Sequence, residues 1–168
     1  MNKQDALRLF DYNYWANRKV WGWVMALNEE QFKRASDYSI GSVHKQLVHA
    51  MDAEAWWLAR ACGVATGTFH EAEVFPTRES IRAHWDAIEA EWRTYLNALP
   101  DGELQSVAEY TRMADGQVYR TPLWEVLLHL INHGTDHRSQ TLAQIHQVGG
   151  ETSAQDFIYY TREKPLLD

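Results

Sequence analysis

Apolar residues recur at three-, four- and seven-residue steps from Leu7 through Phe10, Tyr14 and Trp21 to Val24. This predicts a first helix from about Asn2 to Leu27 with one apolar stripe. Asn13 and Asn17 flank the stripe, and amides beside a buried face need hydrogen-bond partners, so they are expected to tie helices together. After a polar linker, Gly41-Ser42 offers an N-cap for a second helix through Arg60, stopped at Gly63. Its stripe is Val43, Leu47, Ala50, Glu54 and Leu58. Residues 63–76 read as a loop rich in Gly and Thr. Thr77 then caps a third helix carrying Ile81, Trp85, Ile88, Trp92, Tyr95 and Leu99, closed by Pro100-Asp-Gly.

The helical rhythm breaks next. Val107-Ala-Glu-Tyr-Thr-Arg-Met alternates loosely and meets Gln117-Val-Tyr-Arg-Thr across Ala114-Asp115-Gly116, which predicts a small β-hairpin. Thr121-Pro122 predicts an N-cap followed by proline at the first helical position of a fourth helix, which runs to about Val148 and stops at Gly149-Gly150. The tail from Asp156 predicts a short helical turn. No internal repeat interrupts this order. Four long amphipathic helices in a single domain, 1–168, predict an all-α helix bundle with a hairpin inserted before its last long helix.

Composition narrows the function classes. With 45% hydrophobic and 23% charged residues, the 168-residue chain can bury one sizeable core. It has no apolar run of the roughly 18 residues a membrane span needs, and Met1-Asn-Lys-Gln-Asp lacks the order of a signal peptide. The expected compartment is the cytoplasm. A net charge of −7 without a block of lysines or arginines argues against a nucleic-acid partner. Cys62 is the only cysteine, which excludes an intrachain disulfide and a thiolate metal cluster. It has no adjacent His or Lys to activate it as a nucleophile.

Histidine and carboxylate chemistry remains. His129, His133 and His137 stand at four-residue intervals in the fourth helix, a spacing that stacks imidazoles on one face where they can converge on an ion. At about 100° per residue, His137 falls within about 20° of Leu130 and His133 within about 60°, so both point into the apolar stripe. His129 lies about 100° away, at the stripe's edge, where a packing role suits it better. A catalytic metal site usually needs a third protein ligand, and the second helix offers His44, His49, Asp52 and Glu54. The wheel does not single out His49, which sits about 160° from Leu47, whereas His44 and Glu54 lie within about 60° of it. His70, His84 and His146 read as surface or packing residues, and the eight tryptophans chiefly as core. The HExxH pattern of metalloproteases is absent, because Gly134 follows His133.

Several stretches together carry a resemblance over essentially the whole chain. They are Tyr12-Asn13-Tyr14-Trp15-Ala16-Asn17; Gly41-Ser42-Val43-His44 with Leu47 and His49; Trp57-Leu58-Ala59-Arg60; Asn132-His133 with His137-Arg138; and the closing Asp156-Phe157-Ile158-Tyr159-Tyr160. In this order they resemble the DinB/YfiT-like family. The resemblance implies an up-down-down-up four-helix bundle, a homodimer, and a divalent metal held by His49, His133 and His137. The resemblance, rather than the wheel, selects His49. Ser139 stands where many members have glycine, and Val48 where close relatives often carry asparagine.

Three imidazoles suit zinc, nickel, copper or iron, and zinc or nickel is the expectation. The family resemblance implies an enzyme that uses the ion to activate a low-molecular-weight thiol for S-transfer to a small electrophile. An alternative is hydrolysis of a small amide or ester by metal-activated water, which a carboxylate such as Glu54 or Asp52 close to the ion would favour. A third reading is a non-catalytic dimeric bundle, which four protein ligands closing the metal sphere would favour.

Overall fold

The computed structural model describes residues 1–100, 102–112 and 115–165. Helix α1 spans Lys3–Ala26, α2 Glu29–Lys33, α3 Val43–Ala61, α4 Arg78–Ala98, α5 Leu123–Gln147 and α6 Phe157–Glu163, with short 3-10 turns at Ala72–Val74 and Glu103–Gln105. Strands β1, Val107–Thr111, and β2, Val118–Pro122, form an antiparallel pair. The protein is thus mostly helical with one small two-stranded sheet. No helix among the described residues is long and apolar enough to cross a membrane.

Local chemistry sets the helix starts. Asn2 and Asp5 form a reciprocal capping box on α1, and Thr77 and Ser80 form another on α4. The Ser42 hydroxyl accepts from the Lys45 amide at 3.1 Å and begins α3 where its sequence predicts. Two readings need correction. The linker after the first helix contains α2, opened by an Asn28–Gln31 capping box and pinned by the fully buried Phe32. Thr121 is not an N-cap: it pairs with Ala108 in the sheet, and Pro122, still extended, takes the cap position without a side-chain bond. The ladder wins there because the Leu123 amide donates to the Ser106 carbonyl at 2.8 Å, carrying the strand up to the helix. Met113 and Ala114 of the expected hairpin turn, and Asp101 of the expected stop after the third helix, lie outside the described residues.

The four long helices pack in a cycle, α1 on α5, α5 on α3, α3 on α4 and α4 on α1. Phe10, Tyr14, Met51, Ile81, Trp92, Leu123 and Ile145 are among the side chains filling the space between them. At roughly 25 cal/mol per Å² of apolar surface, burying each large side chain is worth about 1.5–3 kcal/mol, which makes this packing the main source of helix stability. Trp92 is held in orientation as well, since its Nε1 donates to the Glu54 carbonyl at 3.0 Å. The hairpin lies beside α3 and α5 and turns Ala108 and Tyr110 inward, with Tyr110 edge-on to Trp57 at 5.2 Å. Helix α6 packs on α1, where Tyr160 is buried against Tyr12 and Trp15.

Candidate metal centre

Helix α3 is buried on two sides because it packs against both α4 and α5. Leu47, Ala50, Glu54 and Leu58 form one buried side, and His49, on another, faces α5. A single-stripe wheel therefore misplaces His49. On α5 the four-residue step puts His133 and His137 one above the other, with ring centroids 4.2 Å apart. The His49 ring lies 4.6 Å from His137 and 5.5 Å from His133. One ligand nitrogen from each of the three can be chosen so that all lie within 4.8 Å of one another. They could hold one metal ion, and no other His, Cys, Asp or Glu joins the group among the described residues.

The surroundings favour metal-binding imidazoles. Burial lowers the pKa of all three; at His133 burial together with the nearby imidazoles takes it down to about 3. They are therefore neutral at pH 7, the form that offers a lone pair. Gln46 fixes the tautomer of His137. Its Nε2 donates to Ser39 Oγ at 2.7 Å and to Gln140 Oε1 at 3.0 Å, so its Oε1 accepts from His137 Nδ1–H at 2.8 Å and leaves the His137 Nε2 lone pair as the one that could take a metal. Phe69, from the loop after α3, stacks on His49 at 5.0 Å. Sequence reasoning missed both Gln46 and Phe69. The partner of each is set by packing across helices or by the loop's path, which no spacing displays.

The remaining candidates go elsewhere. His129 stays outside the group, 5.6 Å from His133 and edge-on to Trp57 at 4.9 Å, as its position at the stripe's edge suggests. His44 is buried against Phe32 and bonds the Phe75 carbonyl through Nε2 at 2.7 Å. Asp52 accepts from the His70 backbone amide at 2.6 Å and meets His70 Nδ1 at 2.9 Å. Glu54 accepts from Asn13 Nδ2 at 3.1 Å, Tyr14 Oη at 3.1 Å and Trp85 Nε1 at 2.8 Å. Neither carboxylate belongs to the histidine group. Burial pushes the Glu54 carboxyl up, and the three donors oppose that shift. Cys62 is exposed, yet partial desolvation of its thiol, together with nearby Glu91, raises its pKa, away from a reactive thiolate. It lines an apolar groove of about 590 Å³ with Leu58 and Tyr95 that contains none of the three histidines.

A polar network lies behind the histidines. Arg138 donates to Asn13, to Asn17 at 3.2 Å, to Gln155 at 2.7 Å and to Thr135 at 3.0 Å. This is the tie expected of Asn13 and Asn17. Gly134 makes it possible, because a Cβ there would stand 2.5 Å from Asn13 Oδ1 and 3.0 Å from an Arg138 nitrogen. The network ties α5 to α1 at Arg138, the residue after His137.

Comparisons with known proteins agree with this architecture. A family model described as the DinB family matches residues 1–165. Protein DinB of Bacillus subtilis (strain 168) is 22% identical over 164 residues, covering 92% of each chain. A crystal structure of a conserved protein from Enterococcus faecalis shares the fold with a TM-score of 0.67 at 12% identity, over 83% of this chain and 94% of that one.

Proposed function

The chain belongs to the DinB family, and from that premise we propose that it is a metal-dependent enzyme acting on a low-molecular-weight thiol. In this reading His49, His133 and His137 hold one divalent ion, zinc or nickel, within an up-down-down-up four-helix bundle that works as a cytoplasmic homodimer. The observation that carries it is the convergence of three ligand nitrogens within 4.8 Å, with no fourth protein ligand in the group among the described residues. A bound ion with an open position supplies Lewis acidity, which lowers the pKa of a thiol and prepares it for transfer to a small electrophile.

The chain's own residues do the rest. Partial burial keeps the imidazoles neutral, Gln46 orients His137, and the Phe69 ring covers one side of His49. The sulfur forms its bond to the electrophilic carbon, the leaving group departs with its electron pair, and the thiol proton passes to solvent. The hydrolytic alternative draws no support from a carboxylate, since Asp52 is paired with His70 and Glu54 is enclosed by three donors.

Elemental analysis of untagged protein, wild type beside His49→Ala, His133→Ala and His137→Ala, tests the site. The expected result is about one ion per chain in the wild type and loss in each variant. Titrating candidate thiols into metal-loaded protein should then give the ultraviolet absorbance of thiolate. A wild type that takes up neither zinc nor nickel would remove the chemistry. Silence across several thiols would leave a metal protein that is not a thiol enzyme. Light scattering on the eluting protein tests the dimer.

A further inference from the structure

Three arginines are buried among the described residues, and two of them are well supplied with acceptors. Arg78 donates to the carbonyls of Val24, Leu27 and Asn28 and pairs with Glu29. Arg138 has the four partners already named. Arg60 is only 8% exposed, yet no described group accepts from it and no described carboxylate pairs with it; its Nε is buried without a partner. Instead its guanidinium lies 4.4, 4.7 and 4.5 Å from the ring centroids of Trp56, Trp57 and Tyr110. Three π faces attract the charge and fix its position, but they supply no oxygen acceptor for its N–H donors.

Placement in the last turn of α3 suits a cation at the negative end of the helix. It does not explain the packing. The backbone amides of Cys62, Gly63 and Val64 already satisfy the carbonyls of Leu58, Arg60 and Ala59, so the guanidinium caps none of these. Arg60 instead lines a cleft of about 420 Å³ with Gly63, Thr66, Glu109, Tyr110 and Thr111. Glu109, the one acidic group in that lining among the described residues, faces Arg120 at 3.7 Å across the hairpin.

Two lines of ring contacts run from the aromatic rings around Arg60 to the histidines. Trp57 meets His129 at 4.9 Å, and His129 meets His133 at 5.6 Å. Trp56 meets Phe69 at 4.7 Å, and Phe69 stacks on His49 at 5.0 Å. Eleven residues separate His49 from Arg60, three helical turns on one face of α3, or about 16 Å of rise. We propose that Arg60 is an anion-recognition site that binds the carboxylate or phosphate group of an elongated small molecule whose other end reaches the histidines. The second half of this statement rests on the thiol reading above; the anion site does not.

Calorimetric titration of metal-free protein with succinate and with inorganic phosphate tests the anion site by itself and shows which anion is preferred. Wild type should saturate with at least one of them, and Arg60→Gln should bind it about tenfold more weakly or worse. Arg60→Lys keeps the charge while losing the planar fork, so it guards against misfolding of the glutamine variant and should fall between the two. Absence of saturable binding to wild type, or equal affinity in all three proteins, overturns the site. In zinc-loaded protein, glutathione should lose affinity on Arg60→Gln while its diethyl ester does not. If zinc fails to bind, the metal reading falls and the metal-free titration still decides Arg60. If both thiols respond equally to the substitution, the anion end does not reach Arg60 and the linked half falls.

Discussion

Arg138 follows His137 directly and Glu54 lies five residues beyond His49, yet the polar groups on the two sides of these helices are treated in opposite ways. Around Glu54 and Arg138, donors meet acceptors: three donors close on the carboxylate, and the guanidinium reaches four side chains, with the Asn17 amide nitrogen left over. In the histidine group, three acceptor-capable nitrogens face one another, and the hydrogen bond from His137 to Gln46 serves to aim one of them inward. A buried polar network satisfied within the protein explains itself as structure. No hydrogen bond joins the three imidazoles to one another, and their nitrogens lie close enough together that they could hold a metal ion.

Removing the Glu54 carboxylate should test that contrast hardest. Glu54→Ala strands Asn13 Nδ2, Tyr14 Oη and Trp85 Nε1 inside the core, and should cost on the order of 4 kcal/mol in urea denaturation. His133→Ala in metal-free protein should cost under about 1 kcal/mol, because it breaks no hydrogen bond among the described residues and relieves crowding of the imidazoles. Equal losses would mean that the histidine group is as structural as the network behind it.

Gln46→Ala sharpens the comparison from the other side. If Gln46 fixes the His137 tautomer, removing it should weaken zinc binding about 10- to 100-fold, measured by competition with a chelator, while the metal-free protein stays folded. Unchanged affinity would reduce Gln46 to a link between α3 and α5. Gly134→Ala follows, since alanine would favour the helix by up to about 1 kcal/mol but drive a Cβ against Asn13 and Arg138. A net loss of about 1–2 kcal/mol is expected, and a gain would show that the network yields readily.

Much of this contrast is legible in the sequence, though unevenly. Caps at Ser42 and Thr77 and the apolar periods of α1 and α4 place the long helices, since local hydrogen bonds and one-sided burial leave marks in the order of residues. The pair His133 and His137 is visible for the same reason. His49 is not, because α3 packs on both α4 and α5 and no single stripe describes it; only the family resemblance selects it. The Asn28–Gln31 box is written in the chain but hidden by its short, polar context, and Pro122 reads as a helical residue because nothing local reveals that Ser106 extends the strand pairing. Arg60 looks like an ordinary helix-end cation until the hairpin brings Tyr110 over it.

The smallest expected effect is on the pH dependence of stability, and the two centres should pull it in opposite directions. The three histidines have folded pKa values below the ordinary value of about 6.5, with His133 down to about 3. Between those limits the unfolded chain binds protons that the folded chain refuses, so their contribution is full above about pH 6.5 and is lost as pH falls. Glu54 has the opposite sign. Its folded carboxyl titrates above the unfolded one, so its contribution is full below about pH 4.5 and is lost as pH rises through the folded value. Urea midpoints of metal-free protein from pH 4 to 7.5 should therefore fall less steeply toward acid in the combined His49→Ala, His133→Ala, His137→Ala variant than in wild type. An unchanged slope would show that the imidazoles titrate freely in the folded chain, and the picture of neutral ligands held ready by burial would fail with it.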